Sequence, residues 1–134
     1  MKSFMRRAAL AFAVMALAAC ASSSAPPAQS FFVFFPTDGA ELLPAANEVI
    51  DKIAADARRP DASGVRIIGH ASPAGASAHN LRLSEQRAAA VEAALVSRGV
   101  PRDLLVRTGQ GATPVIGPEI EGQRVEVVVV RGKR

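Results

Sequence analysis

Gly69-His70-Ala71-Ser72-Pro73-Ala74-Gly75-Ala76-Ser77-Ala78-His79-Asn80-Leu81-Arg82-Leu83-Ser84-Glu85-Gln86-Arg87 is the stretch whose reading decides the fold of this chain. It reads as the end of a strand, a turn and the first turns of a helix, with polar groups gathered where the two elements meet. The preceding Val65-Arg66-Ile67-Ile68 is short and β-branched, as suits a buried or half-buried strand, and Gly69 marks its end. In the loop that follows, Pro73 fixes φ and Gly75 relaxes it, so the backbone can reverse and present amide groups outward. A small anionic ligand suits such a place. The helix starts near Ser77 to Asn80, since Ser and Asn are good N-caps, and runs to Arg98. Its buried line is Ser84, Ala88, Val91 and Leu95, with Ala94 alongside, and Gly99-Val100-Pro101 stops it. Arg87 lies one residue from that line, so its guanidinium can face the Gly69–Gly75 loop while its stem is packed.

Working outward, Phe31 to Phe35 is a short aromatic run bounded by Pro36 and reads as a first strand. Pro36-Thr37-Asp38-Gly39-Ala40 reads as a loop, and Pro44 suits the first turn of a helix, where a missing N–H is not needed. In that helix Val49, Ile50, Ile53, Ala54 and Ala57 recur at three and four and share one face, with Asp51, Lys52 and Asp56 opposite, and Pro60 ends it. Beyond the second helix, Leu104 to Thr108 reads as a third strand and Gly109 to Gly122 as a long Gly/Pro-rich loop. Gln123 to Arg131 alternates at first and then becomes continuous valine, the pattern of a central strand covered on at least one face. Strands alternating with helices, with crossovers long enough for parallel pairing, give one two-layer α/β (α+β) domain over residues 31–134.

The N-terminal residues read as targeting. Lys2, Arg6 and Arg7 form a positive region, Ala8 to Ala16 an apolar run too short to span a bilayer, and Leu17-Ala18-Ala19-Cys20 a small-residue ending. Those four residues resemble a bacterial lipobox, which implies removal of residues 1–19 and lipid attachment at Cys20. A plain secretory signal with an incidental cysteine is the alternative. Cys20 is the only cysteine, so no disulfide can form within one chain. Several acyl chains would hold the protein on a bilayer firmly, whereas one binds only marginally. Ala21 to Ser30 has nothing to bury and two adjacent prolines, so it reads as a flexible tether of at most ~35 Å.

Charge and composition exclude other classes. The formal charge of +4 comes from 16 basic and 12 acidic residues; three of the basic ones lie in the first seven residues, leaving thirteen against twelve. With no tryptophan or tyrosine and no Lys/Arg cluster interleaved with aromatics, there is no basic stripe for nucleic acid. His70 and His79, nine residues apart with no Cys, Asp or Glu between them, are a poor metal ligand set. His70 reads as a strand-end residue bonding to backbone and His79 as a surface residue. Neither Ser72 nor Ser77 lies in a Gly-x-Ser-x-Gly turn, so no catalytic residue and no cofactor are expected.

Gly69, His70, Gly75, Asn80, Leu83, Ser84, Arg87 and Ala88 fall, without insertion or deletion, on the signature Gly-His-Thr-Asp, two residues, Gly, four residues, Asn-x-x-Leu-Ser-x-x-Arg-Ala. The stretch resembles the OmpA-like domain of outer-membrane proteins and peptidoglycan-associated lipoproteins. Val33 to Pro44 resembles the family's opening, with Asp38 at its second acidic position, and Gln123-Arg124-Val125-Glu126 keeps three residues of its last strand. The resemblance implies a β-α-β-α-β-β order with both helices on one mixed sheet. It implies peptidoglycan as the partner, bound at the diaminopimelate of the stem peptide, with Arg87 on a carboxylate, Asn80 as a neutral partner, and Asp38 and Ser72 completing the site. An Arg fork suits a carboxylate through two charge-assisted bonds, as an Asp suits an ammonium. Ala71 and Ser72 stand where the family has Thr and Asp, and losing such a charged partner weakens binding by roughly 10- to 150-fold. Two readings stay open: a non-catalytic outer-membrane lipoprotein whose periplasmic domain links membrane to wall, and an envelope protein-interaction or assembly accessory that kept the fold. Outer-membrane placement is implied by Ala21-Ser22 after the lipobox, without an inner-membrane retention Asp.

Overall fold

The computed structural model describes residues 28–113 and 122–132. The signal, Cys20 and the tether up to residue 27 lie outside them. The elements run β1 (Ala28–Phe34), α1 (Ala46–Ala57), β2 (Ala62–Ala71), α2 (Ser77–Ser97), a short 3-10 turn (Arg102–Leu104), β3 (Leu105–Ala112) and β4 (Arg124–Arg131). They form one four-stranded sheet in the order β1-β4-β2-β3, with β4 antiparallel to both neighbours and β2 parallel to β3. The β-α-β-α-β-β order and the mixed sheet are those expected.

Period-2 alternation decides which face meets the helices. Val33 and Phe35 at the β1 end, Val65 and Ile67 of β2, and Val125, Val127 and Val129 of β4 are buried against Ile50, Ile53, Ala54 and Ala57 of α1 and Ala88, Val91 and Leu95 of α2. The last strand is indeed interior, between β1 and β2, so valine suits both of its faces. Helix α2 ends as its sequence requires. Gly99 takes φ +84, its N–H donates to the Val96 carbonyl at 3.0 Å, and that of Val100 to Leu95 at 3.1 Å, while the Val100 side chain is buried beneath the turn.

Several boundaries differ from the sequence reading, each for a tertiary reason. Strand β1 starts three residues before Phe31, because Ala28, Gln29 and Ser30 find partners in Val130, Val129 and Val128. Strand β2 runs past Gly69 to Ala71, with a register shift between them. Strand β3 continues through Gly109 to Ala112, residues read as loop, because they pair with the end of β2. Both glycines are contact points. A methyl at Gly69 would sit 1.9 Å from the Ser84 carbonyl oxygen, and one at Gly109 2.4 Å from Glu85 Cγ. Side by side in register, they form the bare floor on which α2 rests. The N-cap of α2 is Ala76, with no side-chain cap bond, so neither Ser77 nor Asn80 caps it.

Ser84 fastens α2 to β3. It is fully buried, donates to the Leu81 carbonyl at 2.7 Å and accepts the Gly111 N–H at 2.8 Å. Ser84→Ala leaves that N–H without its acceptor, and a loss of about 1–2 kcal/mol is expected from the denaturation midpoint.

Candidate ligand-binding site

The polar groups of the signature meet at the C-terminal ends of β1 and β2, over the first half of α2. Three turns into that helix, the periodicity of the buried face carries Arg87 inward, and it has no exposed surface. A buried guanidinium needs acceptors. Here Nε donates to the Gly39 carbonyl at 2.9 Å, Nη1 to His70 at 3.1 Å, and Nη2 to Pro36 at 2.7 Å and Thr37 at 2.9 Å. Four of its five N–H groups therefore bind backbone carbonyls. The plane also lies over Phe35, with Cζ 5.7 Å from the ring centroid. Burial lowers the Arg87 pKa from its ordinary value, and the nearby Asp38 charge acts in the opposite direction; the group stays charged.

Asp38 is exposed in the turn between the carbonyls that Arg87 holds, at Thr37 on one side and Gly39 on the other. Among the described residues, no carboxylate comes within ion-pair distance of Arg87. Asn80 is buried and donates from Nδ2 to the Ala74 carbonyl at 2.9 Å, tying the β2–α2 loop to the helix. Ser72 is half-buried and its Oγ accepts a long 3.5 Å bond from the Ala74 N–H. At Gly75, φ is +88, as a reversing loop needs.

The structure thus brings Arg87 and Asp38 to one loop, and Asn80 and Ser72 to the other. Arg87 reaches the Gly69–Gly75 loop only at the His70 carbonyl; its other three acceptors lie in Pro36–Gly39. Backbone carbonyls carry no residue signature, so nothing in the sequence could have named them. His70 bonds through Nδ1 to the Thr113 hydroxyl at 2.7 Å, a side-chain partner where backbone was expected. Burial foremost, and then the Arg124 charge, push its pKa below the ordinary histidine value, with Glu126 acting the other way. His79 is exposed. Among the described residues no three His, Cys, Asp or Glu side chains are grouped to hold a metal ion, and no helix is long and apolar enough to cross a membrane. Two shallow clefts of ≈ 350 and ≈ 400 Å³ lie elsewhere, beside Glu85 and Arg107 and between Phe31 and Arg59.

This pairing of a carbonyl-bound arginine on α2 with two strand-end loops falls inside the span, residues 34–126, that matches the OmpA family. The chain belongs to that family. Outer membrane protein A of Bordetella avium is 33% identical over 107 residues, 75% of this chain and 55% of that protein. Peptidoglycan-binding protein ArfA of Mycobacterium tuberculosis is 35% identical over 103 residues, 72% of this chain and 32% of that protein. The chain therefore corresponds to about half or less of the length of these relatives. Among solved structures, the OmpA-like domain of FopA1 from Francisella tularensis superposes with a TM-score of 0.66 at 25% identity, covering 76% of this chain and 71% of that one. The peptidoglycan-associated lipoprotein of Burkholderia pseudomallei shares the fold, with a TM-score of 0.64 at 24% identity over 75% of this chain and 89% of the other. The OmpA-like architecture of two helices on a four-stranded mixed sheet is common to all three.

Proposed function

We propose that this chain is a non-catalytic, lipid-anchored outer-membrane protein whose periplasmic OmpA-like domain binds peptidoglycan at the diaminopimelate of the stem peptide. One observation carries the reading. Arg87 places a full positive charge at the end of the sheet, offset among the described residues only by carbonyl dipoles and by the exposed Asp38. Its field favours a carboxylate near the two loops, and contact with its remaining Nη1–H requires those loops to part, because Arg87 has no exposed surface. Asp38, on the same loop, is chemically suited to the ammonium of the ligand, and Ser72 to a neutral acceptor role. The mycobacterial relative bears the name of a peptidoglycan-binding protein.

The strand direction suits a linker between membrane and wall. The tether enters at Ala28, and β1 then runs seven residues to the Arg87-bonded loop, ~23 Å at ~3.3 Å per residue. Ala28, where the described chain enters the strand, and the ligand site thus lie at opposite ends of β1. A bilayer at one end leaves the other free for the wall.

Sedimentation with diaminopimelate-type peptidoglycan tests the site, using residues 20–134 with Cys20→Ser. We expect wild type to co-sediment, Asp38→Asn to bind about 10-fold more weakly, and Ser72→Asp to bind about 10- to 100-fold more tightly. If wild type stays in solution and only Ser72→Asp gains binding, the second reading holds: an envelope protein-interaction or assembly accessory that retains the fold. The engagement of four Arg87 donors by the protein's own carbonyls is what favours that alternative. For the anchor, Cys20→Ser in the full chain is expected to move the protein from the membrane to the soluble fraction.

A further inference from the structure

Two ionisable side chains are buried among the described residues, Arg87 and His70, and the binding scheme above leaves the second unused. His70 joins three parts of the molecule. Its carbonyl takes the Arg87 Nη1–H, its Nδ1 lies 2.7 Å from Thr113 Oγ1, and the Thr113 N–H returns to the Ala71 carbonyl at 3.2 Å. Its other ring nitrogen, Nε2, is buried with no partner among the described residues. In the neutral ring protonated at Nδ1, the orphan at Nε2 is a lone pair. Protonation replaces it with an unpaired N–H and a unit charge in a site that is only 5% exposed.

The charges around that site offer little relief. From β4, Arg124 opposes the added charge and Glu126 favours it. From α2, Arg87 stands behind the His70 carbonyl with Asp38 beyond it. The β3 residues paired beside it, Gly109 and Ala112, carry none.

We propose that His70 is an acid-sensitive clasp: the N–H and charge added at its buried, unpartnered Nε2 are satisfied only if the ring moves out to solvent, which breaks the Thr113 bond and loosens the Arg87-bonded end of the sheet, so that ligand is held near neutral pH and released as the medium acidifies. The release half rests on the peptidoglycan reading; the clasp itself does not. The sign follows from linkage. A folded-state pKa below the ordinary 6.5 means that the unfolded or opened state binds more protons in the interval between the two. The stabilising contribution is complete above pH 6.5, declines as the pH falls below it, and is gone once the pH has passed the folded value.

Amide hydrogen exchange of the full-length chain between about pH 7.5 and pH 5 tests the clasp, with rates corrected for the intrinsic pH dependence of exchange. Protection over residues 36–39, 69–76 and 108–113 is expected to fall about tenfold on acidification in wild type and in the exposed-site control His79→Gln, and to stay level in His70→Gln. Constant wild-type protection, or an equal fall in His70→Gln, overturns the proposal. Because His70→Gln could weaken folding, an NMR titration of wild type supplies a second criterion. The His70 ring must titrate below the ordinary 6.5, at the pH where protection is lost; a midpoint at or above 6.5 also overturns it. Peptidoglycan sedimentation over the same range separates the two ideas. Opening on acidification with no wall binding at any pH leaves the clasp standing and removes the wall reading, whereas binding that is lost together with protection supports both.

Discussion

Replacing Arg87 with alanine is expected to lower folding stability by about 3–5 kcal/mol, among the largest effects of any single side chain in this domain. The reason is the set of groups left behind. The carbonyls of Pro36, Thr37, Gly39 and His70 all lose a charged donor at once, in a place where Arg87 itself admits no solvent. Each hydrogen bond to a charged group is worth about 1.5–3 kcal/mol, and the four are not additive because they share one cation. The loop contact over Phe35 is lost as well. Arg87→Lys is expected to recover only part of this, since an ammonium keeps the charge but cannot span four acceptors with a planar fork. Urea denaturation of the two variants checks both values: a midpoint for Arg87→Ala within error of wild type would show that the loop carbonyls find other donors. The consequence for function is practical. Loss of wall binding in Arg87→Ala does not by itself report a ligand contact, because the same substitution removes the tie that shapes the Pro36–Gly39 loop. The exposed Asp38 and half-buried Ser72 give cleaner tests of recognition.

Gly69→Ala is expected to cost about 3 kcal/mol or more, although it adds a single methyl group to a strand. That methyl would lie 1.9 Å from the Ser84 carbonyl oxygen, 2.8 Å from the Ser84 carbonyl carbon and 3.2 Å from Ala88 Cβ. The first two are helix backbone, so the clash is relieved only by moving α2 off the sheet. Such a movement disturbs the Ser84–Gly111 bond and the reach of Arg87 to the loops. Gly75→Ala is the informative contrast. Its methyl would meet nothing within 4 Å, and its cost comes from φ +88 alone, about 1–2 kcal/mol. Comparing thermal midpoints of the two separates the two uses of glycine. Equal and small losses would show that α2 does not sit as closely on β2 as described.

The site was legible in the sequence to the extent that it is written in side chains. Ser84 lies on the buried line that the helix periodicity gives, whereas Arg87, read one residue off that line, and Asn80, read as a candidate cap, are buried as well. Asp38 and Ser72 lie in loops that flank the same end of the sheet. What could not be read is how these groups are engaged. Asn80 looked like a candidate cap and instead holds the Ala74 carbonyl, and Arg87 meets backbone from a loop 48 residues away. The glycines at 69 and 109 looked like punctuation because a bare α-carbon is the same letter whether it serves a turn or a helix contact.

By itself, the sequence determined the order of elements, the apolar faces of both helices, the stop at Gly99 and the family signature, because these depend on local periodicity and on backbone preferences of individual residues. Only the tertiary structure decided that β2 and β3 run on past their glycines, that β1 begins at Ala28, and that Arg87 spends four of its donors on the protein's own loops. Those outcomes turn on hydrogen bonds between residues distant in sequence and on the close approach of one helix to two strands, which the folded chain alone brings together.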